Sequence, residues 1–463
     1  MSGLLDAINV QAQSLDAQST AINTVGKNLA NVDNPDYARE VTNLTSTTDG
    51  GVIAGSVTDT RNSIIDSQIS QSLSDQGSLS VQSDTASTLQ SLLGESVNTS
   101  ADSSTASGDT SASSSESGIT TALDNFFNAF SSLSSDPTES SYAQTALSNA
   151  QTLASNINAL SSNLSSTDAG ISSEITSQTS QAQGLLTTIA SLNSQIAKTE
   201  VGGGTAMDLI NERQGDINTL SGLMNITVSS SAAGLGQVDI TTIDAGANTV
   251  SLVTAGTVNG TLSYNSGTGT FTGGANGATL DVSSGSMAGY QTMRNTISGL
   301  SNKVDSLASQ LEVQVQTANG GNPFFTLYFT LPTGATLPVT NMGVSNAVTA
   351  DSLTTTGNNT ISSAIAGLQN TTINALGGTF SDYYSNNVVT AIGTQVSNLN
   401  TQQETVKLVY NNLLSQQQSA EGVSTDEETA NLMVYQRAYQ GIANVISVMN
   451  TLLSTVVSGM GIG

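Results

Sequence analysis

The sequence predicts a mainly α-helical, elongated chain with one small inserted β domain and with N- and C-terminal helices that pair as a coiled coil. Three observations carry this. Apolar residues repeat at heptad spacing over runs well beyond the ~11–12 residues of an average globular helix. The period changes from helical to alternating chiefly between residues 226 and 285. Heptad seams also stand at both ends of the chain, and a long seam needs a helical partner.

The C-terminal seam is the longest. Leu432, Tyr435, Tyr439, Ile442, Ile446, Met449, Leu453 and Val456 follow one another in alternating steps of three and four. Thr425-Asp426-Glu427-Glu428 marks its start, with Thr425 placed to cap and Glu428 to close a capping box. At the other end Leu4, Ile8, Leu15, Ile22, Val25 and Leu29 share a heptad register, interrupted by Gln11 and Gln18. That helix ends near Asn31, because Pro35 disfavours helix at Asn34 and cannot continue one.

Between these ends the elements follow in order. Residues 32–60 read as irregular and partly extended. A helix spans Arg61 to about Leu93. Residues 95–118 are Ser/Thr/Asp/Gly-rich and too polar to form a core, so a mobile loop is expected. Leu123, Phe126, Phe127, Phe130 and Leu133 give a short apolar face. Asp136-Pro137-Thr138-Glu139 reads as a helix start capped by Asp136. Two long helices are then expected, one from Ala143 to Leu164 and one from Ile171 to Ile196, closed by Gly202-Gly203-Gly204. Asp208 to Arg213 opens a shorter helix.

The alternating runs come next: Val238–Ile240, Val250–Val253, Leu262–Tyr264, Thr270–Thr272 and Leu280–Val282. Met293 to Leu311 resumes the heptad, Phe324 to about Val339 is strand-like, and Val389 to Leu413 forms another seam. The division that follows is 1–38 with 424–463 as terminal helices, 39–225 with 286–423 as an elongated bundle, and 226–285 as the β insertion.

Composition excludes much. With nine Lys and Arg and a formal charge of −26, the 463-residue chain does not bind nucleic acid by phosphate neutralisation. Cys and His are absent, so disulfides, imidazole metal sites and His-based triads are impossible. Aromatics are 4%, which argues against a large aromatic core. No unbroken run of ~18 apolar residues exists, so no membrane insertion is expected. Neither is a cleaved signal peptide. An enzyme is left with carboxylates, Ser and Lys. A two-carboxylate glycosidase is allowed chemically, but long heptad helices suggest no cleft. Capping accounts for Asp426-Glu427-Glu428, and a linker accounts for the glycine triplet. The expectation is no catalysis, no cofactor and no metal. A secreted adhesin is the rival outside enzymes, and it lacks the expected signal and anchor.

Two stretches carry a resemblance. Val25-Gly26-Lys27-Asn28-Leu29-Ala30-Asn31-Val32, followed by Asn34-Pro35-Asp36-Tyr37-Ala38-Arg39, resembles the N-terminal signature of bacterial flagellar rod, hook and hook-associated proteins. Asn34 and Asp36 stand where that signature has Thr and Gly. Gly422-Val423, Asp426 to Glu428, Asn431-Leu432, Tyr435-Gln436 and Ala438-Tyr439-Gln440 are similar to the C-terminal signature of the first hook-associated family, with Gly441 in place of Ala. Phe126 to Pro137, Asp208 to Arg213 and Ser286 to Arg294 match in order between them.

The resemblance implies a structural subunit between hook and filament, secreted through the flagellar export apparatus to the extracellular flagellum. It implies a homo-oligomer that touches hook protein on one side and the next hook-associated protein on the other. A cytoplasmic chaperone would hold the C-terminal helix before export. Asn28, Asn31 and Tyr37 join the two seams as implied assembly residues. Hook, rod and flagellin-type subunits are the nearest alternatives.

Overall fold

The computed structural model describes residues 2–94, 118–202, 204–332, 337–354 and 359–460. The expected mobile loop, except for Gly118, lies outside them. Helix α1, Ser2–Ala30, ends ahead of the Asn34–Pro35 turn, where Asn34 N still reaches Asn31 O at 3.0 Å. The stretch read as irregular is instead an antiparallel hairpin, β1 (Glu40–Ser46) and β2 (Val52–Asp59), laid along α1. Ser14 Oγ accepts Val52 N at 2.8 Å, and Thr42 Oγ1 donates to Thr24 Oγ1 at 2.8 Å. Gly51 makes the seat possible, since a Cβ there would stand 2.4 Å from Val10. The hairpin was hidden from sequence because Asn43, Ala54 and Gly55, which strands disfavour, interrupt its Val, Ile and Thr.

Helix α2, Ser63–Leu92, is capped by Asn62, whose side chain accepts Ile64 N. Helix α3 is Ile119–Ser135. Asp136 does not cap the next helix. It ends α3 and accepts from Thr138 N and Oγ1, and Glu139 is the cap of α4. The two helices expected next are one: α4 runs Ser140–Val201, 62 residues, about 93 Å at ~1.5 Å per residue. The apparent break fell at Asp168, which continues the seam between Leu164 and Ile171. Its carboxylate is buried and accepts two hydrogen bonds from Arg294, Nε at 2.8 Å and Nη2 at 3.1 Å. A paired charge can occupy a core position that an unpaired one cannot.

Helix α5, Met207–Leu223, leads into the strands. Strands β3 (Thr227–Ser230), β4 (Val238–Ile243), β5 (Thr249–Thr254) and β6 (Thr257–Val258) form an antiparallel sheet in that order. Strands β7 (Ser263–Asn265), β8 (Thr270–Gly273) and β9 (Ala278–Leu280) form a second. Helix α6, Ser286–Ala318, returns to the bundle. The stretch from Phe324 resolves into a hairpin of β10 (Phe325–Thr330) and β11 (Val339–Val344). Short helices α7 (Ala350–Leu353), α8 (Asn359–Gly367) and α9 (Phe380–Tyr384) follow. A π-helical turn, Ser385–Val389, then passes into α10 (Thr390–Glu421), and α11 (Thr425–Met460) closes the chain.

The elongated, mainly helical architecture with inserted sheets stands as expected. The core departs from expectation in its chemistry. Six of the eight Phe gather in one cluster: Phe126, Phe127, Phe130, Phe324, Phe325 and Phe380, with neighbouring centroids 4.9–6.1 Å apart. A low average therefore concealed a concentrated aromatic core. Helices α2, α5 and α6 cross closely where side chains are missing. A Cβ on Gly77 would meet Gly222 O at 2.3 Å, and one on Gly289 would meet Ser78 O at 2.4 Å.

The expectation about membrane spans also changes. Within the helical stretch Phe380–Ser458 one 18-residue window is long and apolar enough to cross a membrane, and none of it is buried. Ile, Val and Leu there are interspersed with Ser, Thr and Asn, so the mean is high although no run is unbroken.

Candidate assembly surface and its polar base

The terminal helices pair and run antiparallel. The C-terminal end of α1 and the first turns of α11 meet through the segment that follows α1: Arg39 N donates to Glu421 O at 2.8 Å, and Arg39 Nε donates to Glu428 Oε1 at 2.7 Å. Of the predicted seam on α1, Val25 is buried and Leu4, Ile8, Leu15 and Ile22 are half-buried. On α11, Leu432, Tyr435, Ile442, Ile446, Met449 and Leu453 are half-buried, while Tyr439 and Val456 are exposed. The fully buried positions of α1 differ from those expected. They are small or polar: Ser14, Ala17, Gln18, Ala21, Thr24 and Asn28 beside Val25, because the hairpin covers a second side of the helix. Gln18, read as an interruption, is inside.

One pair can bury only part of α11. Of 23 exposed large hydrophobic residues among those described, eight are on this helix: Met433, Val434, Tyr439, Val445, Val448, Leu452, Val456 and Val457. Exposed apolar area of this extent on one element marks a contact surface.

At the base of the pair is a polar junction. Asn28 is fully buried and makes three side-chain hydrogen bonds. Its Nδ2 donates to Glu40 O at 2.9 Å, and its Oδ1 accepts Glu40 N at 2.9 Å and Tyr37 Oη at 2.8 Å. The structure thus brings Asn28 and Tyr37 together. The Asn31 side chain turns back on its own helix, Nδ2 donating to Lys27 O at 3.0 Å, and borders a cavity of about 180 Å³ with Tyr37, Gln417 and Glu421. Asp36 adopts no positive φ, so it replaces Gly without strain. Its Oδ1 accepts Asn218 Nδ2 at 2.7 Å.

Arg61 ties the N-terminal segment to the body. Its Nη2 donates to Asp36 O at 2.9 Å and to Asn211 Oδ1 at 2.6 Å, and its Nη1 to Asp66 Oδ2 at 3.3 Å. Glu421 Oε1 accepts Asn62 N at 2.8 Å. The capping box is corrected here. Ser424 caps α11, its Oγ accepting Glu427 N at 3.4 Å, and Glu428 is committed to Arg39. Burial pushes the carboxyls of Glu40, Asp66 and Glu421 above their usual range, and it pushes the Tyr37 phenol up as well.

Sequence reasoning gave no role to Arg39, Arg61, Asn211 or Glu421, and it assigned Glu428 to a capping box. A usable signal existed. Six of the nine cations bond across elements: Lys27 to Asp208, Arg39 to Glu428, Arg61 to Asp66, Arg213 to Asn193 and Gly236 O, Arg294 to Asp168, and Lys303 to Asn387 O. Among the described residues no group of three or more Asp or Glu is arranged to hold a metal. The arrangement can join elements and present an apolar face.

Comparison with known proteins bears on this geometry. The family model described as the flagellar hook-associated protein FlgK helical domain matches residues 105–321. The model described as the flagellar basal body rod FlgEFG protein C-terminal matches residues 415–459, which hold the end of α10 and most of α11. Flagellar hook-associated protein 1 of Salmonella typhimurium (strain LT2) is 38% identical over 97 residues, 20% of this chain and 17% of that protein. The Salmonella typhi protein of the same description matches equally. The match thus spans about a sixth of the length of these relatives. The solved flagellar hook junction protein FlgK from Burkholderia pseudomallei aligns at a TM-score of 0.45 and 23% identity, over 57% of this chain and 47% of that one. With the helical-domain match across the middle of the chain and the rod-type match on its terminal helix, the chain is similar to the FlgK-like flagellar hook-associated proteins.

Proposed function

We propose that this chain is a non-enzymatic axial subunit of the bacterial flagellum that forms the junction between hook and filament and permits filament assembly. The observation that carries the reading is the uncovered apolar face of α11, which belongs to a helix already paired with α1. Further copies of the pair cover that face. Exposed Arg437 on α11, with exposed Asp6 and Asp16 on α1, offers opposite charges to neighbouring pairs. Leu4, Ile8, Leu15, Ile22, Val25 and the α11 seam supply the apolar contact. Asn28, Asn31 and Tyr37 hold its base to the body.

Residues 1–38 and 424–463 act as the assembly unit, 39–225 with 286–423 as the bundle, and 226–285 as an outward insertion. Hook protein lies on one side and the next hook-associated protein on the other. Before export through the flagellar apparatus, a cytoplasmic chaperone covers the α11 stripe. The mature subunit resides in the extracellular flagellum.

Antibody labelling of isolated hook–basal bodies, viewed by electron microscopy, tests this. Label confined to the distal end of the hook is expected. A second reading, a rod- or hook-type subunit, is favoured by the rod-protein match over 415–459. Label along the rod or hook selects it and refutes the junction.

A further inference from the structure

Away from the terminal helices, the densest apolar exposure is on the β10–β11 hairpin. Strand β11 is fastened to α4: Asn158 Nδ2 donates to Met342 O at 2.8 Å, Asn158 Oδ1 accepts Met342 N at 2.7 Å, and Ser161 Oγ accepts Thr340 N at 2.8 Å. Strand β10 is outboard in a two-stranded sheet, so its far edge pairs with no strand among the described residues. The register sets Phe325, Leu327 and Phe329 opposite Val344, Met342 and Thr340.

Cover along that row fails progressively. Phe325 is buried, Leu327 half-buried, Phe329 48% exposed and Leu331 64% exposed. Tyr328, on the opposite face, is 60% exposed, and Val313 of α6 is exposed too. The other seven Phe are at most 3% exposed, so Phe329 is the exception in a chain that otherwise buries this residue. Within β10 there is no charge, no Pro and no bulge, the devices that ordinarily protect an edge strand.

We propose that the open β10 edge is a lateral seat for a second copy of this chain. Charge decides the occupant. No charged residue lies between Glu312 and Asp351, in a chain of net charge −26. Two such copies repel wherever their acidic surfaces face each other, and they approach with least cost where charge is missing. The carboxylate of Asp305 is taken up by Thr340 Oγ1 on β11, so it offers a basic partner little counter-charge at the β10 edge. A six-residue edge buries on the order of a few hundred Å², below the ~1,000 Å² of a self-sufficient interface. The contact therefore forms between copies already held side by side by their terminal helices. It rests on the axial reading in that respect.

The test places the photo-crosslinker p-benzoylphenylalanine at Tyr328 of the full chain in flagellated cells and irradiates assembled flagella. A copy-to-copy adduct, mapped to residue 328 by mass spectrometry, is expected. Phe329→Lys in the same chain lowers its yield by about tenfold while the subunit is still incorporated. Thr326→Lys, at an exposed position of the same edge, gives a second charged variant in case Phe329→Lys folds poorly. Incorporated chain that gives no adduct, an adduct to a different protein, or a yield insensitive to both lysines overturns the lateral seat and leaves the axial reading standing. Chain that folds but never reaches the flagellum refutes the axial reading, and the seat with it.

Discussion

Replacing Arg39 with methionine removes one side chain from the junction and leaves the helical core untouched. Its partner Glu428 is 2% exposed at the side chain, and Arg39 itself 25%. Breaking a buried ion pair from one side costs about 3–5 kcal/mol, mostly because the other charge is stranded. Water reaches part of Arg39, so about 2 kcal/mol is expected here, a factor of roughly 30 in a local equilibrium. That cost falls where α11 meets the segment following α1. Amide hydrogen exchange measures it directly. Residues 425–435 and the C-terminal half of α1 exchange roughly 30-fold faster in Arg39→Met. The buried stretch of α4 from Ala143 to Ile196 keeps its native rates. Arg39→Met with Glu428→Met recovers much of the loss, because no buried charge is left alone. Equal acceleration in α4, or a double variant as labile as the single, refutes the idea that this pair latches the terminal helices to the body.

Three further outcomes follow from the same geometry. Ile446→Asp, at a half-buried seam position, lowers subunit stability by only about 1 kcal/mol, since roughly half of an Ile is at stake. On the proposed axial reading assembly repeats the defect in every subunit, so the exported variant is expected not to join hook to filament, and unpolymerised flagellin in the medium reports it. Arg294→Met strands Asp168 in the α4 seam and costs about 3–5 kcal/mol, read as a lower urea midpoint; Asp168→Leu in the same chain restores most of it. The raised carboxyls of Glu40, Asp66 and Glu421 make a pH prediction. A carboxyl whose folded pKa exceeds its unfolded one contributes stability that is complete below the unfolded pKa and lost as pH rises through the folded pKa. Junction amides are therefore better protected in mild acid than at neutral pH, and Glu421→Gln, which keeps an acceptor for Asn62 N, flattens that dependence. Protection that falls on mild acidification contradicts the assignment.

What the sequence made legible was local. Heptad spacing revealed α1, α11 and the long helices, because each such signal needs only residues three or four positions apart. Alternation revealed β4, β5, β7 and β8 for the same reason. What it concealed was what distant segments do for one another. The expected gap between Leu164 and Ile171 holds Asp168, whose charge is met by Arg294, 126 positions away. Residues 40–59 looked irregular because the partner for their polar face was the buried polar side of α1. The junction joins Arg39 to Glu428 across 389 positions and Arg61 to Asn211 across 150, so no window contains it. Scarcity was the clue available in composition. A chain with nine cations and 35 carboxylates has few ways to neutralise a buried acid, and six of those cations were spent at crossings between elements. On the proposed axial reading this placement has a consequence for assembly. With six of nine cations already bonded within the chain, few remain for salt bridges between copies. Contact falls to apolar faces, and the largest ones left uncovered are α11 and the edge of β10.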